Sequence, residues 1–458
     1  MTENGSHAVV LGAGVAGLLA ARVLSDSYRV VTVVERDLLP NRAEQRRGVP
    51  QGRHVHNFLP RGTRVLGDLF PGLLGELAAA GAVVDDGHDL SRTYLRVAGY
   101  EFNPPGRLAD PESLAAYQAS RPFLELHLRR RVAALANVTI LDGHDVVEPV
   151  VADKAVVGAR IVNRDNGAAS VLQAGLVIDA TGRAGLAAHA LERRGFGIPT
   201  EERIPSVGGY SSQLLHIPSG RVHERMAFVS QGSSEPGVLL VAYEDDTWML
   251  AVYRPAEDGG APTDLGQMTL IADQLLPGSI ATAVRGATSV GELAVARTTA
   301  ARWRRYDETP NLPLGFVVFG DALCHLNPMY GQGMTMAALQ ALALRDCLDA
   351  GVDDLPRRFY LAASEHIVPV WTLNRANDRA PSRSARRRPR IWMQHAALRA
   401  ASADIVVVER LLRVRGLIDP PARLADPALW SRILLVNLRG ILHRAATPRP
   451  RRRPQPVT

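Results

Sequence analysis

The chain of 458 residues contains only two cysteines, Cys324 and Cys347, and one lysine, Lys154. Two cysteines without C-x-x-C spacing cannot staple a fold of this length, which points to a reducing, cytoplasmic setting. With one lysine among 53 basic residues, 52 are arginine. Such a bias reads as genomic base composition before it reads as function. Long hydrophobic runs are also missing: nothing approaches the ~18 uncharged apolar residues of a spanning helix. The apolar run from Ala8 to Leu24 is broken by Arg22 and has no basic leader, so it is not read as a signal peptide. The net charge of +7 is local. Arg386, Arg387, Arg388 and Arg390, then Arg449, Arg451, Arg452 and Arg453, lie near the end of the chain. No nucleic-acid motif or aromatic stacking platform accompanies them, so a solvated tail is expected and no nucleic-acid partner. With 46% hydrophobic and 22% charged residues, the composition is that of a globular protein of two or three packed units.

What is present begins at His7. His7 to Leu11 reads as a short buried strand, followed by Gly12, Ala13, Gly14, Val15, Ala16 and Gly17, a G-x-G-x-x-G. A helix from Val15 to Leu24 and a second strand, Val30 to Val34, lead to Glu35. Gly12 permits the tight turn, Gly14 admits a pyrophosphate close to the backbone, and Gly17 lets helix pack on strand. The helix N-terminus offers unpaired N–H groups to phosphate. Glu35 stands ~20 residues on, where a carboxylate grips ribose hydroxyls. Arg36 follows it as a further cofactor-binding candidate. This is a dinucleotide site, open at this point between FAD and NAD.

A second anchor narrows the choice. The apolar run Phe316 to Phe319 ends in Gly320 and Asp321; Asn327, Pro328, Gly331, Gln332, Gly333 and Met334 then lead into a long helix. An aspartate at a strand end can bind polyol hydroxyls. Glycine N–H groups at a helix start stabilise negative charge, such as that of a reduced flavin at its N1–C2=O edge.

With these two motifs the chain resembles the flavoprotein monooxygenases of the para-hydroxybenzoate hydroxylase type, the single-component group A enzymes. The resemblance implies that Asp321 binds the ribityl chain of FAD and that Gly331, Gln332, Gly333 and Met334 face the isoalloxazine. It also implies that Arg121, at the start of a helix capped by Ser120, reaches the pyrophosphate. The family's middle signature, D-G-x-x-S-x-x-R, departs here to Asp179, Ala180, Thr181, Gly182 and Arg183. The stretch Gly48 to His56, with Asn327 to Gly333, is similar to bacterial FAD-dependent epoxidases of polyether-ionophore biosynthesis. That likeness covers roughly residues 5–350.

The resemblance implies an FAD-dependent monooxygenase of EC 1.14 type, with NAD(P)H as reductant and O2 as co-substrate. One oxygen atom would pass, by way of a flavin C4a-hydroperoxide, into an apolar small-molecule intermediate of antibiotic or other secondary metabolism. Alkene epoxidation of a polyketide or terpenoid is the reading adopted. The alternatives are aromatic hydroxylation in the same family, and an FAD-dependent reductase or dehydrogenase acting on a prenyl or polyene chain. Flavin halogenases share the fold but require a pocket lysine and a W-x-W-x-I-P string, both absent. There is no second G-x-G-x-x-G, so the nicotinamide binds transiently or a separate flavin reductase donates electrons. No catalytic side chain is assigned, because the cofactor carries the reactivity; Arg53, His54 and His56 are the pocket candidates, with Arg53 also a cofactor-binding candidate. Tyr210 and Tyr243 are further candidates for a base. His54 and His56 lack a third ligand, so no metal is expected.

The expected fold is α/β: a Rossmann-like FAD-binding domain, a β-sheet substrate domain and a helical C-terminal region. Residues 1–75, 115–200 and 311–350 form the discontinuous FAD-binding domain. Residues 76–114 and 201–310 form the substrate sheet, 351–445 the helical region, and 446–458 a disordered basic tail. Alternation from Val138 to Leu172 predicts an antiparallel meander, and Asp264 to Leu276 a helix across the substrate sheet. Leu429, Ile433, Val436 and Gly440 share a helical face, which reads as packing on the core; peripheral membrane contact through these helices is the alternative.

Overall fold

The computed structural model describes residues 6–185, 190–191, 194–298, 300–378 and 388–446. The basic tail at 447–458, together with Arg386 and Arg387, lies outside the described residues. Five strands form a parallel sheet in the order Phe316–Val318, Leu176–Asp179, His7–Leu11, Val30–Val34, Val138–Leu141. A parallel sheet is covered on both faces, and these strands are the uninterrupted apolar runs that such burial requires. The helix Val15–Ser27 follows the first strand through Gly12, whose φ of +100° only glycine adopts without strain. A Cβ on Gly17 would stand 1.8 Å from the Gly12 carbonyl oxygen, so helix and turn meet backbone to backbone. The helix Gly333–Asp349 lies alongside Val15–Ser27.

Two elements differ from the expected layout. Val138–Leu141 pairs with Val31–Val34 and is the edge of the parallel sheet. The antiparallel meander consists of His144–Ala152, Ala155–Asn163 and Ala169–Gln173. Alternation alone cannot separate a half-covered parallel edge strand from a meander strand, because both expose every second residue. The helix Leu355–Asn377, which carries Pro369 in its interior, buries Phe359, Tyr360, Ile367 and Trp371 in the same core as the parallel sheet. Phe359 stacks on Phe319 with ring centroids 5.8 Å apart, and the Tyr360 hydroxyl accepts a hydrogen bond from Val318 N at 2.8 Å. The first C-terminal helix is thus part of the nucleotide unit.

The second unit is a seven-stranded sheet in the order Thr288–Ala296, Gly208–His216, Thr247–Pro255, Gly237–Ala242, Met226–Ser230, Thr93–Val97, Tyr100–Glu101. One face presents Leu215, Val229, Leu240, Leu250 and Val252 to the helices Leu265–Leu275 and Gly278–Arg285. Asp264 caps the first of these, accepting from Gln267 N. Strand alternation places Tyr210, Leu214, Phe228, Leu239, Met249 and Tyr253 on the opposite face. At its far edge that face is covered by the helices Arg388–Ala401, Ile405–Arg415 and Pro427–Ala446 through Ala400, Val407, Val408, Leu429 and Ile433. The predicted packing face of the last helix is therefore used at Leu429 and Ile433, while Leu434, Leu438 and Ile441 stay exposed. No helix among the described residues is long and apolar enough to cross a membrane. The remainder of the face, around Tyr210, Leu214, Met249 and Tyr253, is covered at Tyr210 and Met249 by the segment that carries His54 and Val55.

Two glycine substitutions separate packing from ligand space. Gly17→Ala drives a methyl into the Gly12 carbonyl, and overpacking of this kind costs about 1–3 kcal/mol, lowering the melting temperature by several degrees. Gly14→Ala meets only Arg121 Nη2 at 3.9 Å and leaves the melting temperature of the ligand-free protein unchanged. Thermal unfolding of both variants checks this.

Candidate functional site

The site begins at the C-terminal ends of the first two parallel strands. Glu35 is buried there, and its Oε2 accepts from Ala13 N at 2.8 Å while Oε1 accepts from Asp37 N at 3.1 Å. Arg46, buried, places Nη1 3.3 Å from both Glu35 Oε2 and Asp37 Oδ2, and Nη2 3.0 Å from Glu125 Oε2. Glu125 Oε1 in turn accepts from Arg121 Nε at 2.6 Å. A buried ladder of alternating charge thus runs Arg121, Glu125, Arg46, then Glu35 and Asp37. Burial pushes the Glu125 carboxyl up, but the charges of Arg121 and Arg46 outweigh it and hold it below the ordinary carboxylate range. Pattern reading had singled out Glu35 and Arg121 and passed over Arg46, Asp37 and Glu125. Their only local signal was Glu125 four residues after Arg121 on one helix, a spacing that lets the two side chains meet.

At the other end, Asp321 follows the strand Phe316–Val318. His325 Nδ1 stands 3.2 Å from its Oδ2. Burial raises the Asp321 carboxyl; the His325 hydrogen bond and the charges of Arg183 and Arg121 overcome this and keep it ionised below its usual range. Gly331, at φ +65°, is left-handed and meets no neighbour within 4 Å, while a Cβ on Gly333 would lie 3.8 Å from Asp321 Oδ1. The loop between is held from behind. Asn327 Nδ2 donates to Asp378 Oδ2 at 3.0 Å, the Tyr330 hydroxyl donates to Asp378 Oδ1 at 2.6 Å, and Asn374 Nδ2 donates to the buried Gln332 Oε1 at 2.7 Å. Met334 is buried in the first turn of the helix Gly333–Asp349. Asn374 and Asp378 lie at the end of the helix Leu355–Asn377, inside the region 351–445 expected to be helical, and no motif marks either of them.

The third wall comes from the segment after the 3-10 turn Pro50–Arg53, an extended stretch that joins no strand. His54 Nδ1 lies 2.9 Å from Ser212 Oγ, and its ring centroid 4.7 Å from that of Tyr210. His56 N donates to the Tyr243 hydroxyl at 3.0 Å. Two of the three pocket candidates, His54 and His56, are therefore brought together with Tyr210 and Tyr243. Arg53 is exposed and pairs with Glu292 at 3.2 Å on the outer strand Thr288–Ala296. Arg36 is exposed and 3.8 Å from Asp145. Burial, aided by Arg183, pushes His54 down to about 4. Burial, aided by Arg121, pushes His56 down to about 3. Burial lifts Tyr210 and Tyr253 to about 12 and raises Tyr243 further. It also raises the Cys324 thiol well above its ordinary value, which leaves Cys324 a packing residue.

These walls suit a dinucleotide. Gly14 leaves a methyl-sized gap facing Arg121 Nη2. Arg121 commits Nε to Glu125, and its Nη groups have no hydrogen-bond partner among the described residues. A glycine turn at a helix N-terminus opposite free guanidinium donors is a seat for a diphosphate. Arg121 is also felt electrostatically by both His56 and Asp321, so one cation spans the interval between the glycine turn and the second anchor.

The family described as FAD binding domain matches residues 6–350. Protein Rv3254 of Mycobacterium tuberculosis is 36% identical over 99% of this chain and 97% of its own. Kynurenine 3-monooxygenase of Salinispora arenicola is 27% identical, covering 80% of this chain and 76% of its own. Squalene monooxygenase 1,1 of Brassica napus is 22% identical, covering 82% of this chain and 70% of its own.

The ladder and the histidines each predict a stability effect. Glu125→Gln leaves the buried Arg121 without a carboxylate and takes one of three from Arg46, and breaking a buried pair costs about 3–5 kcal/mol; denaturant unfolding measures it. His54 is neutral when folded, with its pKa near 4 against 6.5 in the unfolded chain. Between these values the unfolded state binds more protons, so stability falls as pH drops from 6.5 toward 4. The slope contributed approaches ~1.4 kcal/mol per pH unit. His54→Asn removes that contribution, and pH-dependent unfolding of the two proteins reads the difference.

Proposed function

The chain belongs to the FAD binding domain family and is an FAD-dependent flavoprotein oxidoreductase; from that premise we propose that it is a monooxygenase that places one oxygen atom of O2 on an alkene of an apolar polyketide or terpenoid. FAD, when bound and reduced by NAD(P)H, supplies the electrons and the site at which O2 is activated. In this reading Gly12, Gly14 and Gly17 form the turn on which the diphosphate sits, and Arg121 donates to it from the far side. Glu35, with Arg36 beside it, accepts from ribose hydroxyls. Asp321, kept ionised by its surroundings, accepts from the ribityl hydroxyls. Gly331, Gln332, Gly333 and Met334 present the helix N-terminus to the pyrimidine edge, where its dipole favours negative charge. His54 and His56 wall the space between the cofactor and the sheet.

The observation that carries the choice of alkene is that His54, His56, Tyr210 and Tyr253 do not titrate near neutral pH. His54 and His56 are held near 4 and 3, and Tyr210 and Tyr253 near 12. None of them changes protonation state near neutral pH. A phenol must be activated by a base tuned to the working pH, and a histidine near 4 is a poor one. An alkene needs no such activation, and the surrounding Leu214, Leu239 and Met249 suit an apolar chain. The named activity of squalene monooxygenase supports this reading. That of kynurenine 3-monooxygenase favours aromatic hydroxylation as the second one.

Incubation of the holoprotein with NADH or NADPH, 18O2 and parallel panels of linear polyenes and phenols tests the choice. The expected product carries one 18O and has lost one double bond. Oxygen insertion confined to phenols moves hydroxylation to the front. A saturated product formed without oxygen overturns oxygenation altogether.

A further inference from the structure

The helix Pro427–Ala446 is apolar on two faces and uses one. Leu429 and Ile433 are buried under it, in the cluster that covers the far edge of the sheet. Leu434, Leu438, Ile441 and Leu442 follow the i, i+4, i+7, i+8 spacing of a second stripe that turns away from that face, with Leu435 beside it. The helix Arg388–Ala401 packs against this one. Asn437 Nδ2 donates to the Ala396 carbonyl at 2.9 Å, and Arg432 pairs at 2.9 Å with Asp404, just beyond the end of the neighbouring helix. Residue numbers fall along one helix as they rise along the other, so the two run antiparallel. At a rise of about 1.5 Å per residue, Ile391, Trp392 and Met393 come level with Ile441 and Leu442. These eight apolar side chains are each between 41% and 60% exposed.

A helix whose second face is apolar is built to be covered on that face too, and a contiguous exposed patch of this kind marks an interaction site. Charge decides what covers it. Arg439 flanks the stripe, exposed and without an ion pair among the described residues. The stretches 379–403 and 427–458 hold seven arginines each and no aspartate, glutamate or lysine. The acids of this region, Asp404 and Asp426, stand at the opposite end of the helix pair, where Asp404 takes Arg432 and Asp426 accepts from Ala428 N at 2.9 Å. A second copy seated on the same patch would oppose one arginine set to another, because a twofold interface meets itself, and like charges juxtaposed across an interface are costly. Nucleic acid supplies anions but nothing to cover Leu438 or Leu442. The surface of an anionic bilayer supplies both, acyl chains for the stripe and phosphates for the arginines. Trp392 stands at the edge of the patch, and tryptophan favours the headgroup level of a bilayer. No helix among the described residues is long and apolar enough to cross, so the pair would lie in the plane of the interface.

We propose that the exposed end of the antiparallel pair Arg388–Ala401 and Pro427–Ala446 is a docking surface for an anionic phospholipid membrane. Leu434, Leu438, Ile441 and Leu442 enter the boundary of the acyl region, Trp392 sits among the headgroups, and Arg439 meets lipid phosphate. The attachment is peripheral and reversible. It uses no residue of the nucleotide site or of the wall formed by His54 and His56, and it stands whether or not the chain transfers oxygen.

The test is flotation of the full-chain holoprotein with vesicles of phosphatidylcholine alone and of equal parts phosphatidylcholine and phosphatidylglycerol. Affinity for the anionic vesicles is expected to be at least tenfold higher, and to fall as salt screens the arginines. Leu438→Asp combined with Ile441→Asp is expected to abolish binding, and Arg439→Gln to weaken it several-fold. Both side chains of the double variant are exposed, so it should keep its FAD and its melting temperature. Tryptophan emission is expected to shift to the blue when anionic vesicles are added, and Trp392→Phe to lose that shift. The proposal is overturned if neither vesicle binds, if both bind equally, or if the double variant floats as well as its parent, which would leave the arginines acting alone. A lowered melting temperature or loss of FAD in the double variant assigns the stripe to packing and also overturns it. So does a dimer, read by light scattering, that the double variant dissociates in a protein that binds no vesicle. So does binding to a DNA duplex in place of the vesicles.

Discussion

The buried charge ladder is the constraint on which the rest of the site depends. Two guanidiniums, Arg121 and Arg46, share three carboxylates, Glu125, Glu35 and Asp37. Such a set costs a great deal to desolvate, and it is stable only when every member is paired. It therefore locks three separate pieces of chain: the end of the second strand, the loop carrying Arg46 and the helix Arg121–Ala133. It also leaves one end open, because Arg121 still has free Nη donors where Gly14 provides room. An anion at that position completes the series. Cofactor binding and folding of this half of the molecule are thus coupled through the same electrostatics.

The second half obeys a different rule. The seven-stranded sheet is apolar on both faces, so each face must be covered. The helices Leu265–Leu275 and Gly278–Arg285 cover one completely. The other is shared. Its far edge takes the three C-terminal helices, and its near part packs against Val55 of the segment between His54 and His56. In that near part His54, His56, Tyr210 and Tyr253 are neutral around pH 7. The loop that faces it, from Asn327 to Gly333, is braced from behind by Asn374 and Asp378. Its glycines can therefore stay free of side-chain contacts without the loop losing its shape.

Much of this was legible beforehand, and the reasons are local. A glycine turn between strand and helix has to be written with glycines at fixed offsets, because the backbone itself makes the contact; the 1.8 Å approach at Gly17 leaves no alternative. Ser120 caps its helix as its position suggested. The parallel strands read as unbroken apolar runs because both of their faces are buried. Where one face is half covered the pattern misled: Val138–Leu141 alternates like a meander strand, and its parallel partner lies more than a hundred residues earlier in the chain.

The sequence by itself determined the nucleotide fold, the glycine turn, Glu35, Asp321 and the loop at Gly331, since each is a short contiguous motif whose chemistry follows from neighbouring residues. The tertiary structure alone decided which charges meet. Arg46 reaches Glu125 across 79 positions and Gln332 meets Asn374 across 42, and no local periodicity records such pairings. It likewise decided that Arg53 turns outward to Glu292 while His54 and His56 turn in. A lone arginine looks the same in a sequence whether it is solvated, paired or waiting for a ligand; only the folded surroundings tell these apart.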